Sequence, residues 1–328
     1  MRQLYTISKP FNDGFLPVSD GHALYFEESG NPEGIPVLFI HGGPGAGLSD
    51  DYTRMFDTTI YRVIGFEQRG CGRSTPFASL NNNTTAHLLA DIDQLRTHLE
   101  ISQWVVFGGS WGATLALLTA IKQPKTVLGL ILRGVFLGRQ EDIEWYICPN
   151  GGAAQLYPEH YEAFVQDIPS LTDAADICAA FVTLFNQKNK FKKANALRSW
   201  YGWEERISRI QHPYGDPLYN YDLHQIASLA MLECHYLQHH CFIDENYILE
   251  NIHRIAHIPG YIVHGRYDMI CKIEASYSLQ QLWPNSQLTI VPDAGHSTSE
   301  PSIAFSLKMA TDTMTKLIHH HTPLTCAD

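Results

Sequence analysis

Five residues between two apolar runs carry the strongest chemical signal in the chain. Gly108-Gly109-Ser110-Trp111-Gly112 follows Trp104-Val105-Val106-Phe107 and precedes the small-residue apolar stretch from Ala113 to Ile121. Gly-x-Ser-x-Gly at a strand-to-helix junction is the signature of a nucleophile elbow: the tight turn lifts the serine above the sheet, and the glycines let helix and neighbouring strands approach. Taken alone, the five residues also fit a glycine-rich turn with an incidental serine; the strand and helix on the correct sides favour the functional reading. A neutral hydroxyl attacks poorly, so a base must take its proton, and the base needs an orienting carboxylate. In chain order these follow the serine as acid, then histidine. Asp268 closes His264-Gly265-Arg266-Tyr267-Asp268, and His296 closes Pro292-Asp293-Ala294-Gly295-His296. Asp293, three residues before His296, is the rival acid.

An acyl-transfer intermediate also needs donors for its oxyanion. His41-Gly42-Gly43-Pro44-Gly45 follows the apolar run Val37-Leu38-Phe39-Ile40, which makes the backbone N–H groups of Gly43 and Trp111 the expected pair. A phosphate-cradling loop is the competing reading, but the segment contains neither Gly-x-Gly-x-x-Gly nor Gly-Lys-Ser/Thr.

These residues require a scaffold that presents loops from several strand ends on one side. Val37–Ile40, Tyr61–Phe66, Trp104–Phe107 and Val127–Val135 read as strands. Leu88, Ile92, Leu95 and Leu99 mark one helix face between them, with Thr84 or Thr85 as the N-cap. Apolar strands alternating with amphipathic helices predict an α/β fold with a mostly parallel sheet covered on both faces. The rhythm stops near Gly138. Up to about Ile252 the chain is rich in aromatics and helix formers, as in Pro158 to Val165 and Ala174 to Phe185, and then strands resume at Tyr261–Val263 and Leu288–Val291, where loops carrying Asp268 and His296 follow. A helix is expected near Ile303 to Ile318. The expected organisation is a core of residues 1–137 and 253–328 interrupted by a helical cap, 138–252.

Composition narrows the partners. With 328 residues, 45% hydrophobic and 17% charged, the chain can bury a large core. Its net charge of −11 and the lack of any Lys/Arg run longer than a pair argue against nucleic acid. No apolar segment approaches 18 uncharged residues, no signal-peptide stretch opens the chain, and the seven cysteines include no Cys-x-x-Cys. A cytoplasmic protein without a membrane partner or a metal is expected. His235 and His239 stand four apart beside Glu233, but no His-Glu-x-x-His is present, so a zinc site is not expected.

HGGPGAG at 41–47, QRGCGRS at 68–74, GGSWG at 108–112, HGRYD at 264–268 and DAGH at 293–296 together resemble the proline iminopeptidase (prolyl aminopeptidase) family, a serine-peptidase branch of the α/β-hydrolase superfamily. The resemblance runs from about Tyr5 to about Ile318. It implies removal of an N-terminal proline from peptides by a Ser110–His296–Asp268 triad with no cofactor. It further implies that two cap glutamates, matched by position to Glu204 and Glu233, bind the free imino group, and that Phe136, Trp145 and Tyr146 surround the ring. Without the resemblance, both glutamates would read as solvated charges and the aromatics as cap core. A carboxylesterase or a broader aminopeptidase on the same scaffold is the alternative, and a non-catalytic binding protein a more remote one. Two positions depart from the family: Glu67 stands where Asp is usual, and Ala113 where Ser is common. Cys271, three residues after Asp268, is expected to line the site.

Overall fold

The computed structural model describes residues 3–211 and 223–321; Cys326 lies outside them. Eight strands form one sheet in the order β1-β2-β4-β3-β5-β6-β7-β8. Two strands the apolar-run pattern does not reveal, β1 (Pro10–Pro17) and β2 (Ala23–Gly30), add an antiparallel edge. The other six, β3 (Ile35–Ile40), β4 (Tyr61–Phe66), β5 (Trp104–Gly109), β6 (Val127–Arg133), β7 (Gly260–Gly265) and β8 (Ser286–Val291), run parallel. β5 is buried at every residue, as a central strand covered on both faces must be. β6 stops at Arg133 rather than Val135, because Gly134 takes φ +51 and turns the chain.

Helices α1 (Thr85–His98), α2 (Trp111–Lys122), α10 (Ile273–Leu282) and α11 (Pro301–His321) flank the sheet. Between β6 and β7 lie α3 (Gln140–Ile147), α4 (Gly152–Leu156), α5 (Pro158–Val165), α6 (Ala174–Phe185), α7 (Lys190–Ile207), α8 (Leu223–Gln238) and α9 (Tyr247–Asn251), with no strand among the described residues. Asp173 and Asn189 cap α6 and α7 by accepting from the first free N–H groups. An aromatic cluster of Phe164, Phe181, Phe185, Trp200 and Trp203 holds α5, α6 and α7 together, with Phe164 stacked on Phe181 and on Trp203.

Two of these helices are fastened to loops of the sheet. Just past α7, the carbonyl of Ser208 accepts from the N–H groups of His296 and Ser297, each at 2.9 Å. On α8, Ser228 Oγ donates to the Gly45 carbonyl at 3.0 Å. Gly45 has φ +108, and a Cβ there would stand 2.5 Å from the Ser228 carbonyl, so only glycine allows this approach. Among the described residues, no helix is long and apolar enough to cross a membrane.

Candidate active site

Ser110 stands between β5 and α2 with φ 57 and ψ −124, a backbone state costly for any residue with a Cβ. Three contacts enforce it. Its N–H donates to the Arg133 carbonyl at 2.8 Å, and its own carbonyl accepts from Ala113 and Thr114. The neighbouring glycines leave no room for other residues: a Cβ at Gly108 would lie 2.1 Å from the Gly112 carbonyl oxygen, and one at Gly112 2.2 Å from that of Ile40.

Asp268 and His296 meet across the ends of β7 and β8. His296 Nδ1 donates to Asp268 Oδ2 at 2.7 Å. Asp268 Oδ1 accepts from the N–H groups of Ile270 and Cys271, and His264 Nε2 lies 3.3 Å from Oδ2. Burial alone would raise the Asp268 pKa, but His296 and His264 hold it far below the usual carboxylate range. Burial pushes His296 below its ordinary value, opposed by Asp268 and assisted by Arg133. Asp293, the rival acid, is exposed and accepts from Ser302 Oγ at 3.0 Å.

The serine is not bonded to this pair. Among the described residues the polar neighbour of Ser110 Oγ is Cys271 Sγ, at 3.8 Å. His296 Nε2 instead accepts from Arg133 Nη1 at 2.6 Å.

The expected oxyanion donors sit beside the serine. Gly43 takes φ +103, and a Cβ on its neighbour Gly42 would come within 3.4 Å of Ser110 Cβ. Trp111 is the first residue of α2, so its N–H lies outside the helical ladder and at the positive end of the helix dipole. Gln68 locks the two segments together: its side-chain Oε1 accepts from Trp111 Nε1 at 3.0 Å, and its Nε2 donates to the His41 carbonyl at 2.8 Å. Glu67 uses its length to reach Arg73, accepting from its N–H and from Nε and Nη2 at 3.1 Å each. A Cβ at Gly72 would clash with that carboxylate. Ala113 is fully buried in α2, where its methyl fits.

Glu233 on α8 is buried, whereas Glu204 on α7 is half-buried with one carboxylate oxygen shielded from water. Glu204 Oε2 is buried and takes no hydrogen bond among the described residues. Burial, then Glu205, raises its pKa to about 8, with Arg133 pulling the other way. Glu233 Oε2 accepts from Trp200 Nε1 at 2.6 Å, and burial followed by the charge of Glu204 pushes its pKa well up. Glu204 also lines a cleft of about 620 Å³ that runs past Ala46, Gly47 and Phe77. Phe136 and Tyr146 are buried, the Phe136 carbonyl accepting from Thr114 Oγ1 at 2.6 Å. Burial, then Glu233 and Glu204, pushes the Tyr146 phenol well above its ordinary value. Trp145 Nε1 donates to the Met269 carbonyl at 3.0 Å, and the residue lines a surface cleft of about 560 Å³ with Glu144 and Cys148.

Arg133, His264 and Gln68 were not singled out by sequence reasoning. Arg133 leaves a trace there, as the one charge within the apolar run Val127–Val135. His235 and His239 do not converge on a shared ligand: His235 Nε2 contacts the Asn83 carbonyl and His239 Nδ1 the His235 carbonyl. Glu141, Asp142 and Glu274 lie close together, but Arg139 and Lys272 occupy the space between them.

A strained serine after a central strand, with an acid and a histidine on later strand-end loops, defines a hydrolase of the α/β class, and a family model described as alpha/beta hydrolase fold matches residues 35–301. An esterase from Exiguobacterium antarcticum shares this fold with a TM-score of 0.62 at 20% identity, over 94% of this chain and 99% of that one. The chain is 42% identical to a proline iminopeptidase of Xanthomonas citri, over 95% of its own length and 99% of the relative's. It is 41% identical to one of Arabidopsis thaliana, over 97% and 83%. The chain belongs to the proline iminopeptidase family.

Proposed function

We propose that this protein is a prolyl aminopeptidase that releases the N-terminal proline of peptides through an acyl-enzyme. The observation that carries the proposal is the pair Glu204 and Glu233: Glu233 is buried, Glu204 Oε2 is buried with no hydrogen-bond donor among the described residues, and both carboxyls have a raised pKa. Buried acids in this state attract a buried positive charge, and the secondary ammonium of a terminal proline supplies one with two N–H donors. A blocked terminus would leave both carboxylates unsatisfied, which is how the site would count from the end of the chain. Phe136, Tyr146 and Trp145 would surround the ring, with Trp145 braced on the Met269 carbonyl. The helical segment 138–252 would act as the cap that carries recognition over the catalytic sheet.

In the reaction, Ser110 Oγ attacks the proline carbonyl carbon as His296 Nε2 takes its proton. Asp268 fixes the tautomer by accepting from Nδ1, and the N–H groups of Gly43 and Trp111 bind the oxyanion. His296 then protonates the leaving amine, and water, deprotonated by the same nitrogen, hydrolyses the acyl-enzyme. The chain's own residues supply every step, so no cofactor is invoked. A cytoplasmic location is supported by six described cysteines that are all buried and free.

The test is hydrolysis of prolyl-β-naphthylamide beside its N-acetylated form and alanyl-β-naphthylamide. Strong preference for the free prolyl amide is expected. Equal cleavage of the acetylated amide, or turnover of simple esters alone, would overturn the proposal in favour of an esterase.

A further inference from the structure

The serine and its base are poised but not joined, and one residue accounts for it. Neutral imidazole has a single acceptor nitrogen. His296 Nδ1 donates to Asp268, so Nε2 is that acceptor, and Arg133 Nη1 occupies it at 2.6 Å. Ser110 Oγ, left without the base, lies against Cys271 Sγ. Arg133 follows directly on the elbow in the sheet: it pairs with Gly109 across β5 and β6, and a Cβ at Gly109 would fall 2.7 Å from its guanidinium. Its own satisfaction is incomplete: among the described residues its buried Nε finds no acceptor, and the equally buried Glu204 Oε2 finds no donor.

We propose that Arg133 is a latch on the catalytic base: in the empty enzyme it caps His296 Nε2, and it is drawn away towards Glu204 when a cationic N-terminus enters the site. The inference rests on the assignment of Glu204 and Glu233 as the amine-binding pair. With the site empty, burial leaves Glu204 largely protonated near neutrality, so it offers Arg133 little charge. An arriving ammonium makes the ionised carboxylate favourable, and the proton leaves to solvent. Ionised Glu204, with its two oxygens, can accept from the ammonium and the guanidinium together. Nε2 is then free for the Ser110 hydroxyl. Recognition of the free terminus would thus switch the nucleophile on as well as hold the substrate. Arg133 is a positioning residue in this scheme, acting through His296.

Covalent labelling of Ser110 by a small alkyl fluorophosphonate reads the nucleophile without any substrate amine. Pyrrolidine supplies the cation alone, used at concentrations that competitively inhibit hydrolysis of prolyl-β-naphthylamide. Pyrrolidine is expected to accelerate labelling of the wild-type enzyme about tenfold, equivalent to about 1.4 kcal/mol in the barrier. Arg133→Gln should label about as fast without pyrrolidine and gain nothing from it. Raising the pH adds a readout that loss of structure would not mimic. The groups facing Glu204 are Glu205 on its own helix, Arg133 on β6, Glu233 on α8 and Tyr146 on α3. Above the Glu204 value of about 8 the carboxylate is ionised without any ligand, so the pyrrolidine effect should fade there while pyrrolidine itself remains cationic. Pyrrolidine that slows wild-type labelling or leaves it unchanged, or an Arg133→Gln variant labelled no faster than wild type, would overturn the latch. If prolyl-β-naphthylamide is cleaved selectively and either result occurs, the latch alone falls. If that amide is not cleaved selectively, the amine-site assignment falls with it.

Discussion

The sheet and the helical insertion build their halves of this site by opposite means. On the sheet, each group proposed to take part in the chemistry is fixed by backbone: Ser110 by a strained turn held by three hydrogen bonds, Asp268 by two N–H groups, Gly43 by a positive φ. In the insertion, Glu204 and Glu233 ride on helices and owe their raised pKa mainly to burial, with Glu233 also held by Trp200 Nε1. The sheet supplies geometry and the helices supply environment. Yet the two are clasped directly, α7 through Ser208 to the His296 loop and α8 through Ser228 to the Gly45 loop.

If this division holds, damage to the sheet should abolish turnover of every substrate, while damage to the cap should select among substrates. Ser110→Ala is expected to lower kcat for amides and esters alike by about 10⁴-fold or more while proline still binds, measurable by calorimetry. Glu204→Gln should cost kcat/KM for prolyl-β-naphthylamide about 10²-fold, the worth of a charge-assisted buried pair, and change p-nitrophenyl acetate turnover by less than about threefold. Equal losses on both substrates would place Glu204 in the chemistry and erase the distinction. Trp200→Phe removes the donor to Glu233 and should raise KM about tenfold with kcat little changed. Trp145→Phe, on the outer cleft, should alter kcat/KM by less than about threefold.

The pH profile separates the halves in another way. His296 must be neutral to act, and burial sets its pKa below the ordinary value, so kcat should persist below pH 6.5, lower than an unperturbed histidine would allow. Glu204 must be ionised to hold an ammonium, and its value is about 8. KM should therefore fall as pH rises towards 8, until the substrate amine itself loses its proton. A single pKa governing both parameters would contradict separate catalytic and recognition groups.

Much of the catalytic half is legible in the primary structure, because short-range rules create it. A strand, a glycine-serine-glycine turn and a helix are adjacent in the chain, and so are each later strand and the loop that bears Asp268 or His296. The antiparallel strands β1 and β2 escape such reading for different reasons: β1 is the sheet edge, where Phe11 and Phe15 are half-exposed, and β2 is buried but carries Glu27, Glu28 and Ser29, which break the apolar run. The sequence favours Asp268 over Asp293 because Asp268 sits past an earlier strand and Asp293 shares the loop of His296; the folded strands then bring Asp268, 28 residues away, to 2.7 Å from the imidazole while Asp293 turns to Ser302.

What the sequence determined by itself is the nucleophile turn, the order of acid and histidine, the parallel α/β scaffold and the presence of a helical insertion, all consequences of local backbone chemistry and hydrophobic period. Only the tertiary structure decided that Glu233 is buried while Glu204 stays half-buried with one oxygen shielded, that Trp145 lines a different cleft from Glu204, and that Arg133 rather than Ser110 rests on His296 Nε2. Those outcomes depend on desolvation and on through-space pairing between residues 33 to 163 positions apart. Neither quantity exists until the chain has folded around it.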